Sequence, residues 1–275
     1  MKRRYSGGKF FTALTFFFLY APIIVLIVFS FNNSNSRTIW TGFTFNWYSE
    51  LFKDSLIMSS LQTTILVSVI ASVAAAAIGT FAAIGFYNMK KRWRTPLLMV
   101  NNIPVVNADI ITGVSLSLLF VSAGAFMGFN LGFSTLLIAH ISFDIPYVIL
   151  SVMPKLYQLD RNLFEAAQDL GCTWFQTIYK VIIPEIMPGI INGLLIAFTM
   201  SVDDFVISYF TAGSTVQTLS MTIYAMTRRR ISPKINAIST LLFAVVLILL
   251  VVVNMREARQ HKTETKKGKI LEGTV

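Results

Sequence analysis

Apolar residues along this chain collect into six long runs, at about Phe10–Phe31, Leu61–Tyr87, Pro96–Ala123, Gly132–Met153, Ile186–Phe210 and Ile235–Asn254. A helix needs roughly 20 apolar residues to cross a bilayer. The pattern therefore predicts an all-α, polytopic bundle of six transmembrane helices in a single domain, residues 1–275. Two stretches between the runs carry a different pattern. From Asn32 to Ser60, aromatic residues are set among Thr, Asn and Ser, and Asn46–Lys53 is expected to form a short interfacial helix. In residues 155–185, Asp160 and Asn162 can cap a helix that runs to about Leu170 and stops at Gly171, where left-handed backbone costs nothing. Thr173 and Gln176 have capping-box spacing for a second helix, which Pro184 is expected to end. A helix–Gly–helix unit between membrane spans is built to be gripped by another protein.

Small residues dominate the second run, from Ala71 through Gly79 to Gly85. They let backbones approach closely, so this span is expected to pack centrally. The segment 257–275 is polar and is expected to form a mobile tail.

Composition agrees with the pattern: 55% of residues are hydrophobic and 13% charged, against about 25% charged in soluble domains. A net charge of +10 would suit nucleic acid, but its distribution argues for topology instead. With both termini cytoplasmic, the inner segments hold Lys2, Arg3, Arg4 and Lys9, then Lys90, Lys91, Arg92 and Arg94. Lys155, Arg161, Lys180 and the basic tail follow on the same side. Fewer lie outside (Arg37, Lys53, Arg228, Arg229, Arg230 and Lys234). This is the positive-inside bias of a multi-pass membrane protein in contact with lipid, and it fixes the orientation. The external run Arg228-Arg229-Arg230 is either a solvated turn or a contact for an acidic partner or headgroup. Cys172 is the single cysteine, so no intrachain disulfide forms. The basic start and first apolar run resemble a signal peptide, but the run's length and the lack of a small-x-small site make it an uncleaved span.

Acidic residues inside apolar runs are the candidate chemistry: Asp109, Asp144, Asp203 and Asp204. A charge at a helix centre costs roughly 2.5–3.5 kcal/mol on insertion scales, so each needs water, a partner or a function. Counted along continuous helices from the cytoplasm, Asp109, Asp203 and Asp204 fall in one outer-half layer. Pro104 is expected to break the third helix just before Asp109. Asn192, Thr199 and Asp203 share one helical face, and Ser201, Asp204 and Ser208 the next. The resulting polar strip is wide enough to line a channel. Paired carboxylates repel unless a cation neutralises them, so a cationic substrate fits, while helix-packing hydrogen bonds are the plainer alternative. Asp144 has His140 one turn away and is expected to bond its imidazole. Trp47 and Tyr48 offer either ring faces to a cation or interfacial anchors. The chain has no Gly-rich phosphate loop, no Gly-x-Ser-x-Gly elbow and no His-Glu-x-x-His site, so it is read as non-catalytic.

The run Glu165-Ala166-Ala167, with Gly171 six residues after the Glu and Ile183-Pro184 beyond, resembles the EAA loop of ABC importer permeases. Phe45-Asn46-Trp47-Tyr48, Ser201-Val202-Asp203-Asp204 and Ser232-Pro233-Lys234 extend the likeness to the PotC-type permeases of spermidine/putrescine importers. The resemblance implies an ATP-driven polyamine importer built from this chain, a second homologous permease, an ATP-binding subunit dimer and an extracytoplasmic substrate-binding protein. It implies no cofactor in this chain, ATP and Mg²⁺ being held by the ATPase. Glu165, Ala166, Ala167, Gly171 and Pro184 would belong to ATPase coupling, and Trp47, Asp109, Ser201, Asp203 and Asp204 to the substrate pathway. The alternatives are a permease of the same class for iron or an anion, and a proton-coupled transporter using Asp109, Asp144 and His140. The latter leaves the loop unexplained. A purely structural scaffold leaves the acidic layer unexplained.

Overall fold

The computed structural model describes residues 6–34, 39–160, 162–229 and 233–272. Lys2, Arg3, Arg4, Arg37, Arg161, Arg230 and Ser232, which entered the readings above, lie outside the described residues. The order of elements is α1 (Ser6–Phe29), α2 (Asn46–Lys53), α3 (Ser55–Asn88), α4 (Lys91–Val106), α5 (Asp109–Met127), α6 (Phe133–Gln158) and α7 (Asn162–Asp169). Then come α8 (Trp174–Thr177), a π-turn (Ile178–Ile182), α9 (Ile183–Asp203), α10 (Val206–Thr211), α11 (Leu219–Arg229) and α12 (Pro233–Glu272). Among the described residues, six helical stretches are long and apolar enough to cross a membrane: Phe11–Ser30, Ser55–Asn88, Asp109–Met127, Phe133–Gln158, Trp174–Asp203 and Pro233–Val251. The segment after Glu257 continues as helix to Glu272. The chain divides into two compact units, one within Met1–Ser59 and Thr222–Val245, the other within Ser60–Met221 and Val246–Val275.

In the larger unit α6 is the axis of packing. Leu136, Ala139, Val148 and Val152 on it are fully buried. Small residues bring its neighbours in on either side. A Cβ on Gly79 of α3 would meet Val148 Cγ1 at 2.8 Å, and one on Gly193 of α9 would meet Val148 Cα at 3.1 Å. Glycine here permits backbone contact rather than a special φ, the usual device where lipid gives helices no hydrophobic reason to associate. Ala71, Ala75 and Ala83 of α3 are wholly buried as well, matching the central place expected for that span.

Local chemistry sets the loop as the capping signals foretold. Asp160 Oδ1 accepts the Asn162 amide at 3.0 Å and opens α7. Gly171 (φ +86°) closes it, with its own N–H on Gln168 O at 2.8 Å and that of Cys172 on Ala167 O at 3.1 Å. This is the paired bonding of a Schellman turn. Thr173 and Gln176 form the reciprocal capping box of α8. Pro184, however, does not end the second helix. The chain runs on from Trp174 to Asp203 without interruption. Proline lacks an N–H and its ring collides with the carbonyl four residues back, here Lys180, inside the π-turn. That widened turn moves the carbonyl aside, and the Ile183 amide bonds Ile178 O, five residues back. The loop's second helix and the fifth span are therefore one rod.

The close α6–α9 contact yields a test. Gly193→Val should cost about 1–3 kcal/mol through overpacking and lower the melting temperature of the solubilised protein. Gly85→Ala, where a Cβ meets nothing within 4 Å, should leave it unchanged. Equal melting temperatures for both variants would refute the contact.

Candidate functional site

Expected as one continuous helix, the fifth apolar run instead stops. Helix α9 ends at Asp203, Asp204 takes extended backbone (φ −65°, ψ 129°), and α10 restarts at Val206. The first amides of a helix have no partners within it, and hydrocarbon offers none. Asp204 provides them: Oδ1 accepts from Ile207 N at 3.2 Å, and Oδ2 from Ser208 N at 2.7 Å and Ser208 Oγ at 2.8 Å. Its side chain is 6% exposed. The idea that both members of the aspartate pair face one channel is corrected accordingly: Asp204 turns inward as a cap, while Asp203 is exposed.

Ser201 is likewise buried and engaged. His140 of α6 reaches it with Nδ1 at 2.7 Å and reaches Ser208 with Nε2 at 3.0 Å. The same Nε2 stands 3.5 Å from Asp204 Oδ2. Ser201, Asp204 and Ser208 thus do gather on one side, as their spacing foretold, but around a histidine rather than around open space. His140 was read as the partner of Asp144, and that reading fails. Both carboxylate oxygens of Asp144 are buried and accept no hydrogen bond from the described residues. The partners that His140 chose lie 61 and 68 residues away, beyond the reach of any local pattern.

Asp109 opens α5, directly after a break at Asn107–Ala108. It is exposed, in a first turn where the helix dipole favours negative charge. Pro104 lies within the last turn of α4, so the break comes three residues after it. Depth counted along one unbroken third helix therefore does not hold. Contacts place the residue better. A Cβ on Gly113, one turn further on, would lie 3.1 Å from the Phe210 ring and 3.4 Å from Val206 O. The start of α5 thus sits against the start of α10, and Asp109 and Asp203 flank the same interruption. Asp144 and Asp203 are each within electrostatic reach of Asp204, and the Tyr147 hydroxyl within reach of Asp109 and Asp144. Asp144 is near the middle of α6, while Asp109 opens α5 and Asp203 ends α9. Among the described residues no group of three or more His, Cys, Asp or Glu is arranged to hold a metal ion.

Trp47 and Tyr48 belong to the smaller unit. Trp47 Nε1 donates to Asn32 O at 2.7 Å, and the Tyr48 hydroxyl shares a 2.8 Å hydrogen bond with Ser30 Oγ. The Phe31 ring stacks on Phe43 and tilts against Tyr48. Of the two roles left open for these residues, the geometry displays the anchor: they tie α2 to the end of α1. Arg228 lies over the Tyr224 ring, 4.8 Å from its centroid, and donates to its hydroxyl.

On the loop, Glu165 and Ala166 are exposed and Ala167 is buried. Glu165 and Asp160 edge a cavity of about 220 Å³ walled by Ile84, Tyr87, Leu156 and Phe164. One helical face is thus committed to the core while the Glu–Ala face stays open.

Residues 75–257 match the family described as binding-protein-dependent transport system inner membrane component. The putrescine transport system permease protein PotI of Escherichia coli K12 is 39% identical over 236 residues, covering 85% of this chain and 84% of PotI. The spermidine/putrescine transport system permease protein PotC of the same strain is 35% identical over 267 residues, covering 97% and 98%. A chain of the bacterial ABC transporter that imports the acidic polysaccharide alginate shares the fold, with TM-score 0.69 at 16% identity over 92% of this chain and 94% of that one. The MetNI methionine transporter does so at TM-score 0.60 and 19% identity, over 74% and 95%. With six candidate spans, a helix–Gly–helix loop and these relatives, the chain belongs to the family of inner-membrane permease components of binding-protein-dependent ABC transport systems.

Proposed function

We propose that the chain is one of two permease subunits of an ATP-driven importer for linear polyamines, spermidine and putrescine. The observation that carries this is the layer of exposed carboxylates, Asp109 and Asp203, at a helix interruption. No Lys or Arg occurs between Arg94 and Lys155 or between Lys180 and Arg228, so nothing cationic in the chain segments around that layer neutralises it. An anion would find no basic group in these segments, whereas a chain of ammonium groups spaced by methylenes meets separated carboxylates along its length. A few solvated carboxylates also bind weakly enough to release the substrate. The names of PotI and PotC point to the same substrates. In this reading Asp203 and Asp109 meet the polyamine. Ser201 and Asp204 hold the interruption in shape, and Trp47 and Tyr48 anchor α2 to the end of α1.

The partners are a second permease, an ATPase dimer holding ATP and Mg²⁺, and an extracytoplasmic binding protein. Both termini lie in the cytoplasm. The exposed face of Glu165 and Ala166 docks on the ATPase, with Ala167 packing beneath it. Gly171 supplies the turn, and Pro184 sits where the π-turn joins the loop to the span. Motion of the loop when the ATPase closes then travels along the rod Trp174–Asp203, roughly 45 Å at 1.5 Å per residue, and arrives at the carboxylate layer.

Two experiments test this. In cells lacking other polyamine uptake, Asp203→Asn should cut radiolabelled spermidine uptake by about tenfold or more, the loss of one charge-assisted contact, with the complex still assembled. Asp204→Ala should act differently, lowering the melting temperature by removing a cap worth about 0.5–2 kcal/mol. Normal uptake by Asp203→Asn would remove that residue from the route, and normal uptake without the chain would discard the substrate. Separately, Glu165→Arg or Gly171→Asp should leave the protein inserted but abolish stimulation of ATP hydrolysis by the loaded binding protein. Full stimulation in both would sink the loop assignment.

A further inference from the structure

The buried imidazole of His140 is used in a way that neither the transport reading nor core packing requires. Ser208 Oγ donates its proton to Asp204 Oδ2 at 2.8 Å. Its 3.0 Å contact with His140 Nε2 must then be one in which the imidazole donates. A neutral imidazole donates from one nitrogen and accepts at the other. Nδ1 is therefore the acceptor, and Ser201 Oγ donates to it at 2.7 Å. The bonds run in one direction, from the Ser201 hydroxyl through the Nε2–H tautomer of His140 and the Ser208 hydroxyl to the Asp204 carboxylate.

The two hydroxyls at either side of the ring belong to different helices. Ser201 is in the last turn of α9 and Ser208 in the first turn of α10. The interruption between them has no i→i−4 ladder to fix its angle, and Asp204 caps only the α10 side. His140, rooted in the fully packed α6, is the side chain that bonds both sides. The residue it passes over is telling too. Asp144 lies one turn along the same helix, with a buried carboxylate that accepts nothing from the described residues, yet the ring bridges two serines instead. The ring thus serves the interruption between α9 and α10 rather than a partner on its own helix.

We infer that His140 is a positioning residue for transport. Its imidazole pins the last turn of α9 to the first turn of α10, and thereby fixes the direction in which the exposed Asp203, between the two pinned serines, presents its carboxylate. The inference rests on the reading of Asp203 as a substrate carboxylate. Gln is the conservative replacement, because its amide carries an acceptor and a donor a short distance apart, as the imidazole does.

The test uses the assembled complex, with Cys172→Ser to clear the chain's single cysteine and Asp203→Cys as a reporter. Labelling of that cysteine by a cationic methanethiosulfonate reagent is timed with His140 intact, with His140→Phe and with His140→Gln. Phe should change the labelling rate about fivefold or more, and Gln should return it to within about twofold, as expected when one bridging hydrogen-bond pair is lost and restored. In the chain with Asp203 intact, His140→Phe should raise the KM for spermidine about tenfold with Vmax little altered. Should His140→Phe fail to assemble, Ser208→Ala removes the α10 end of the bridge, together with that hydroxyl's bond to Asp204, and should shift labelling in the same way. Unchanged labelling and unchanged KM in an assembled His140→Phe or Ser208→Ala complex would overturn the inference. If Asp203→Asn transports normally, the substrate reading falls, while the labelling rates still decide whether His140 sets the backbone at that position.

Discussion

Backbone amides that hydrocarbon cannot solvate govern this molecule. A helix that stops within a bilayer exposes N–H and C=O groups at a cost of several kcal/mol each unless the protein itself supplies partners. The interruption at Asp204 and Phe205 is tolerated because one carboxylate accepts two of the amides that open α10 together with the Ser208 hydroxyl. The acidic layer follows from that solution. Asp204 is committed inward, which leaves Asp203, its neighbour, at the end of α9 and exposed. The close seat of α5 on α10 through Gly113 brings Asp109 to the same place. One interruption thus creates both the need for a buried carboxylate and the opportunity for an exposed one.

Interruption at one end of α9 contrasts with continuity at the other. The π-turn admits Pro184 without ending the helix, so the exposed loop and the carboxylate layer are opposite ends of a single element. Glycines at positions 189 and 193 hold that element against α6 closely enough that any added Cβ would meet Ser151 O or Val148 Cα at 3.1 Å. Packing so tight resists bending, and a displacement applied at the loop moves the rod as a body instead of dissipating along it.

What was legible in the sequence was the chemistry confined to a few neighbouring residues. Asn46–Lys53 emerges as a helix with the bounds its pattern gave, and the caps at Asp160, Gly171 and Thr173–Gln176 act through atoms two to five residues apart. Pro184 was misread because the rule that proline ends a helix presumes α geometry on both sides of it. The end of the fifth run was missed because Asp204 and Ser208, four apart, look alike whether they share a helical face or form a cap with its helix. His140 was paired with Asp144 because both lie on one helix. Its actual partners become neighbours only once α6 and α9 have packed. The acidic residues themselves stood out at once, since a carboxylate in an apolar run is rare in any context; which of them faces outward was decided by the fold.

The π-turn at Ile178–Ile182 also sets a phase. Each α-helical residue turns the axis by about 100°, and a turn of i→i+5 bonds accommodates one residue more than its neighbours do. The azimuth at which the loop leaves the rod, relative to the azimuth of Asp203 at its far end, is therefore fixed by the number of residues between them and not by any contact along the way. Deleting one residue within the turn would restore regular α geometry and keep the loop's bearing, whereas deleting one from the regular helix beyond it would point the loop about 100° away. The information stored there is angular, and it resides in chain length.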